Sequence, residues 1–301
     1  MSAPEADVVI SHVLCPTDFS TFSEAAIRQA TRIATWYGAR LTALSCIPTW
    51  PRVSVAFPEY GEPFISPAPE DVRSELQRFL RPAEEAGVPC DVAVVDGRPA
   101  PTIVQYAREK AADLVVMGTH GHGGFERLLL GSVTEKVLRK APCPVLTVGP
   151  AAADERPEVA RILCALDFSD MSLRALDYAA SLARVATAVL NVVHVVDWPL
   201  EEGESAPRDF DLRNYRRHLA DLALRRLRTT IPEALREQSG AEEITTFGRP
   251  HGAILRIAAE KHADLIVLGV HGAGSVDRTL FGSTAYHVVR GAKCPVLSVR
   301  I

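Results

Sequence analysis

The 301 residues state one pattern twice. That duplication constrains the fold more than any single motif, because each copy must bury its own hydrophobic faces. The segment DLVVMGTHGHGGFERLLLGSVTEKVLRKAPCPVLTV, from Asp113, returns as DLIVLGVHGAGSVDRTLFGSTAYHVVRGAKCPVLSV from Asp264, an offset of 264 − 113 = 151. The offset holds for Gly118 and Gly269, Gly131 and Gly282, Cys143 and Cys294, and for VDGRP at Val95 against TFGRP at Thr246. Nearer the front, HVLCPTDFS from His12 matches RILCALDFS from Arg161, an offset of 161 − 12 = 149. The two copies therefore differ slightly in length in their middles. A unit this long is a whole domain rather than a solenoid module. The expected domains are 1–150 and 155–301. GPAAADERPE, rich in Pro, Ala and charge, suits the join between them.

Within each copy, short apolar runs alternate with helical periodicity. In the first, strands are expected at Val8–Leu14, Leu41–Ile47, Asp91–Val95, Leu114–Met117 and Val145–Val148. The first helix opens on a capping box, Thr21-x-x-Glu24, carries Ile27, Ala30, Ile33 and Tyr37 on one face, and closes at Gly38. Further helices are expected at Val72–Ala86, Thr102–Lys110 and Val133–Arg139. The second copy repeats the strands at Ile162–Ala165, Val189–Val196, Glu243–Thr246, Leu265–Leu268 and Val296–Val299. Strands alternating with helices predict a parallel sheet covered on both faces. The fold class is thus α/β, with two repeated, doubly wound five-stranded parallel-sheet domains of Rossmann-like type.

Composition excludes several function classes. A formal net charge of −4 gives no basic surplus for nucleic acid and no polybasic cluster for anionic lipid. MSAPEADVVI lacks the basic start and long apolar core of a signal peptide, and no apolar run spans a bilayer. The expected location is cytoplasmic, with no membrane partner. The six cysteines form no C-x-x-C pair and suit buried free thiols in a reducing compartment.

The chemistry concentrates in GTHGHGGFERLLLGS, Gly118 to Ser132. Ligands of open parallel sheets sit beyond the carboxyl ends of strands, which is where this stretch begins. Its skeleton is Gly118-x-x-Gly121, nine residues, then Gly131-Ser132; the second copy has Gly269-x-x-Gly272, nine residues, then Gly282-Ser283. Gly118 and Gly121 would let backbone amides approach phosphates, and Gly131-Ser132 opens a helix whose free amides favour anions. Ser132 and Thr134 could add hydroxyl donors. With no lysine in the stretch, amides and a bound divalent cation such as Mg2+ would offset the charge. A plain capping box, Ser132-x-x-Glu135, is the competing structural reading.

G-x2-G-x9-G-[ST] twice, PTDFS after the first strand and CPVLTV at the end of the domain together resemble the universal stress protein (Usp) family, in tandem and over nearly the whole chain. The resemblance implies a five-stranded domain of the adenine nucleotide alpha hydrolase-like kind that holds ATP between the first strand's end and the glycine loop. It implies pairing of two domains through their last strands, here within one chain, with homodimerisation as a further option. Carried over by position, Asp18 and Asp167 match the residue near the adenosine. Cys46 and Val195 match positions whose backbone faces adenine, and Met117 and Leu268 flank the base or ribose. Gly118, His120, Gly121, Gly131, Ser132, Val133 and Thr134 match the phosphate loop. In the second copy the loop positions are Gly269, His271, Gly272, Gly282, Ser283 and Thr284. Ala285, opposite Thr134, departs from the family's hydroxyl, so the first site is expected to be the more complete.

Structural alternatives stand beside these roles. Asp18 could simply support a helix N-terminus. His120 with His122 could be read as metal ligands, but His122 becomes Ala273 and no third ligand is evident, so no metal site is expected. Glu126-Arg127 and Asp277-Arg278 read first as salt bridges. Gly97-Arg98-Pro99 and Gly248-Arg249-Pro250 read as strand-to-helix turns. Pro48–Pro69 is long enough to serve as a lid or partner surface. Arg213 to Arg228 reads as a basic amphipathic helix with a solvated face. Three functions follow: a nucleotide-binding stress-response regulator read by an unknown protein partner, a slow ATPase or other adenine-nucleotide enzyme, and a nucleotide-free scaffold. The first is the reading adopted, with no catalytic residue assigned.

Overall fold

A computed structural model describes residues 8–47, 68–120, 130–150, 158–197, 211–270 and 281–300. They fall into two compact units, one within Val9–Pro150 and the other within Ala151–Ile301. The first unit runs β1 (His12–Pro16), α1 (Thr21–Tyr37), β2 (Arg40–Ile47), α2 (Pro69–Glu85), β3 (Cys90–Asp96), α3 (Pro99–Glu109), β4 (Leu114–Gly118), α4 (Ser132–Lys140) and β5 (Val145–Val148). The second runs β6 (Arg161–Ala165), α5 (Asp170–Ala186), β7 (Val189–Asp197), α6 (Leu212–Thr230), α7 (Glu233–Ser239), β8 (Glu242–Gly248), α8 (Pro250–Glu260), β9 (Leu265–Gly269), α9 (Ser283–Gly291) and β10 (Val296–Val299).

The strand order in the first unit is β3-β2-β1-β4-β5, and in the second β8-β7-β6-β9-β10, with parallel neighbours throughout. Each sheet is thus five-stranded and doubly wound. In the first unit α1 packs beside α2, and α3 beside α4. Right-handed crossovers put those two pairs on opposite faces of the sheet. Strands covered on both sides need apolar residues at every position, not alternate ones. β1, β4 and β5 are accordingly buried along their whole length.

The helix ends follow local chemistry. α1 closes at Gly38, whose left-handed φ of 62° lets its amide reach the carbonyls of Ala34 and Thr35. Its N-cap is Ser20 rather than Thr21, accepting from the Ser23 amide at 3.3 Å, so the expected box is displaced by one residue. α7 was not expected; Pro232 cannot continue α6 and stands as the N-cap of the next short helix. All six cysteines are free thiols. Cys15, Cys143 and Cys164 are buried, and burial pushes the Cys15 thiol up to about 12. Among the described residues, no helix is long and apolar enough to cross a membrane.

Candidate functional site

The chain steps outward from β1 through β2 to β3, then crosses back to lay β4 on the other side of β1. That reversal opens a crevice between the carboxyl ends of β1 and β4. Thr17 to Ser20 form one wall. The exposed Asp18 carboxylate accepts hydrogen bonds through Oδ1 from the Ser20 amide at 3.1 Å and the Ser23 hydroxyl at 2.7 Å. Thr17 Oγ1 accepts from the Phe19 amide at 2.9 Å. Phe19 sits at φ 62°, a left-handed conformation that costs a bulky residue of order 1–3 kcal/mol.

The second unit builds the same turn at β6. Asp167 Oδ1 accepts from the Ser169 amide at 3.0 Å and from the Ser169 hydroxyl, Phe168 stands at φ 64°, and Ser169 caps α5 by accepting from the Ser172 amide. The helix-supporting role of the aspartate is therefore real in both units. It coexists with a carboxylate held at the mouth of the crevice.

The opposite wall begins where β4 ends. A side chain on Gly118 would meet Phe22 Cβ at 2.9 Å and the Phe22 carbonyl group at 3.2 Å. Gly269 stands likewise against Met171 and Ser172, with the Met171 carbonyl carbon at 2.9 Å. These two glycines let the first helix lie close on the strand end. That is a packing reason the sequence reading, which gave Gly118 to phosphate approach, did not contain. The loop's return is tied down as well: the Gly131 amide donates to the Thr119 carbonyl at 2.8 Å, and the Thr119 amide to the Val148 carbonyl at 3.0 Å. The Gly282 and Val270 amides repeat these bonds to Val270 and Val299.

α4 and α9 are each entered from glycine, Gly131 and Gly282, with no capping side chain. The competing capping box is thus not formed: Ser132 is the first residue of the helix, and Glu135 pairs with Arg139 at 3.0 Å. Neither helix has a side-chain cap among the described residues, and the free first-turn amides of a helix favour an anion. Ser132 and Ser283 are exposed; Val133 and Thr284 are half-buried. Thr134 is buried and donates its hydroxyl to the Gly118 carbonyl at 2.9 Å, so that hydroxyl braces the loop. Ala285 is equally buried in the second unit.

His120 packs its ring on Phe22, centroids 5.5 Å apart, and places Nδ1 2.9 Å from Thr119 Oγ1. Its buried Nε2 has no hydrogen-bond partner among the described residues. Met117 and Leu268 are buried in the strand ends, while Cys46 and Val195 are half-buried at the ends of β2 and β7. Burial pushes the Cys46 thiol up to about 11, so it sits there protonated. Gly121, His271 and Gly272 lie outside the described residues, as do His122, Ala273 and the Glu126-Arg127 and Asp277-Arg278 pairs.

Sequence reasoning missed the aromatic layer behind the first wall. Phe19 meets Phe79 of α2 edge-on at 5.9 Å. In the second unit Arg226 of α6 takes the place of Phe79, each standing just before a buried leucine, Leu80 or Leu227. The Arg226 guanidinium lies 4.0 Å from the Phe168 ring centre, and His194 packs on the same ring at 4.6 Å while its Nδ1 bonds the Leu166 carbonyl at 2.8 Å. The signal available in the sequence was the repeated Asp-Phe-Ser itself.

The sequence model described as "Universal stress protein family" matches residues 10–149 and 158–300. A universal stress protein of Methanocaldococcus jannaschii is 38% identical over 136 residues, 45% of this chain and 80% of that protein. Universal stress protein E of Photorhabdus laumondii is 25% identical along 96% of this chain and 94% of its own. Among solved structures, a universal stress protein from Archaeoglobus fulgidus superimposes with a TM-score of 0.63 at 25% identity, covering 96% of each chain. The chain belongs to the universal stress protein family, with two family domains in one polypeptide.

Proposed function

We propose that this tandem member of the family binds ATP in the crevice of each unit and acts as a nucleotide-dependent regulator in a stress response. The observation that carries the reading is the duplicated crevice. In both units an aspartate is held at the end of the first strand by a strained Asp-Phe-Ser turn, opposite a helix opened by an uncapped glycine. Strain kept at matching positions on a rigid scaffold is a mark of a working site.

The residues fit the nucleotide in chemical type. First-turn amides of α4, with the Ser132 hydroxyl, are donors suited to phosphate oxygens. His120 Nε2 is a buried polar atom that a ligand could satisfy. The Asp18 carboxylate is an acceptor for ribose hydroxyls. A magnesium ion accompanying the phosphates would supply the positive charge that the missing lysine does not. Gly121, His271 and Gly272 enter this reading from their place in the glycine pattern alone.

The test uses purified protein that has met no added nucleotide. Heat denaturation, chromatography and mass spectrometry identify and count whatever is released per chain. ATP at two per chain supports both sites, and one per chain supports the first unit as the more complete. ADP directs attention to hydrolysis. No released nucleotide, followed by no binding of added ATP with magnesium, overturns the reading.

A further inference from the structure

On the second unit, two histidines meet where α8 packs against α9. His251 is the second residue of α8, and His287 lies one turn into α9. Their ring centres are 4.6 Å apart and their planes inclined by 31°. His287 is exposed and His251 half-buried, so the pair is open to solvent from one side. Neither imidazole has a hydrogen-bond partner among the described residues, although each ring carries one donor and one acceptor nitrogen. The Tyr286 ring stands edge-on to His287, with ring centres 5.5 Å apart. The first unit has Ala100 and Lys136 at these places, so the feature belongs to the second unit alone.

We propose that His251 and His287 form a two-imidazole site for a divalent transition-metal ion of the zinc, nickel or copper class, completed by water. Geometry supports it. Two imidazoles bound to one such ion at about 2.0–2.1 Å bring their ring centres to about 5 Å from each other. The observed spacing of 4.6 Å is close to that value. The ligating form of histidine is the neutral one. Imidazole nitrogen and water suit this class of ion better than magnesium or calcium, which take oxygen ligands.

The experiment titrates the metal-stripped full chain with Ni2+ by calorimetry at pH 7.5, without nucleotide, so that its outcome is independent of the proposed nucleotide sites. The comparison variants are His251→Ala and His287→Lys, which install the residues the first unit carries, with thermal melting as the check on folding. Because His287 is exposed, that variant tests the site even where the other fails to fold. The expected result is one site per chain whose affinity falls at least tenfold in each variant, and falls for the wild type when the pH is lowered to 5.5. Unchanged affinity in either folded variant overturns the proposal, because the site needs both rings.

Discussion

Thr134 donates its hydroxyl to the carbonyl of Gly118 at 2.9 Å, sixteen residues back along the chain and on the far side of the glycine loop. Both groups are buried. Thr134→Val keeps the shape and removes the donor, leaving the Gly118 carbonyl unpaired at a cost of about 1–3 kcal/mol. The expected outcome is a lower denaturation midpoint for the first unit and weaker nucleotide binding there, with Thr134→Ser close to wild type. Unchanged stability in Thr134→Val would mean that the loop is held by other contacts.

Gly118 and Phe22 set the distance between β4 and α1. A methyl group at Gly118 would fall 2.9 Å from Phe22 Cβ and 3.2 Å from backbone atoms, which cannot swing away as a flexible side chain can. Gly118→Ala should cost about 1–3 kcal/mol through this crowding. The paired variant Gly118→Ala with Phe22→Ala would not restore stability, because alanine keeps the Cβ that the new methyl meets and the backbone atoms stay in place. Denaturant unfolding of the two variants decides the point. Full rescue by Phe22→Ala, which keeps Cβ and the backbone, would show that crowding against those atoms is not what destabilises Gly118→Ala.

Phe19 and Phe168 share a strained turn but rest on different partners, Phe79 and Arg226. Arg226 is exposed, so its contact with the Phe168 ring is worth about 0.5–1 kcal/mol. Arg226→Gln should lower the stability of the second unit by no more than that, and Arg226→Phe should recover it by recreating the first unit's pair. A loss several times larger in Arg226→Gln, read by urea unfolding, would point to a further role for the guanidinium.

Much of this architecture was legible because local rules and burial agree. Val145–Val148 and Val296–Val299 were bounded to the residue by flanking proline and by unbroken apolar runs. Gly38 announced the end of α1. What escaped was set by contacts distant in sequence. Nothing near Gly118 in the chain says that Phe22 will press on it, and nothing near Thr134 says that its hydroxyl will face inward. The positive φ of Phe19 and Phe168 runs against the usual preference of a bulky residue, so only repetition of Asp-Phe-Ser hinted at it. At the site, the strand-end places of Asp18 and Asp167 and the glycine entry of α4 and α9 follow from the repeated pattern, and Met117 and Leu268 are buried in the ends of their strands.

His12 gives the first unit a pH-dependent contribution with no counterpart at the matching place in the second, where Arg161 stands. Its ring is buried, with Nδ1 3.1 Å from the Lys110 carbonyl and Nε2 2.8 Å from Thr42 Oγ1. The carbonyl requires a proton on Nδ1, and in the neutral ring Nε2 then accepts from the threonine. Burial holds its pKa below the ordinary 6.5, with Arg40 acting in the same direction against the Lys110 carbonyl. The unfolded chain therefore takes up the proton first as pH falls. His12 contributes its full stability above about pH 6.5 and loses it progressively as pH drops toward its lowered folded value, below which the loss stops. His12→Gln should flatten this part of the profile in the first unit while lowering stability at neutral pH through the lost bonds. Thermal melting of both proteins between pH 8 and pH 5 reads the difference. Parallel profiles for wild type and His12→Gln would assign the acid sensitivity to other groups.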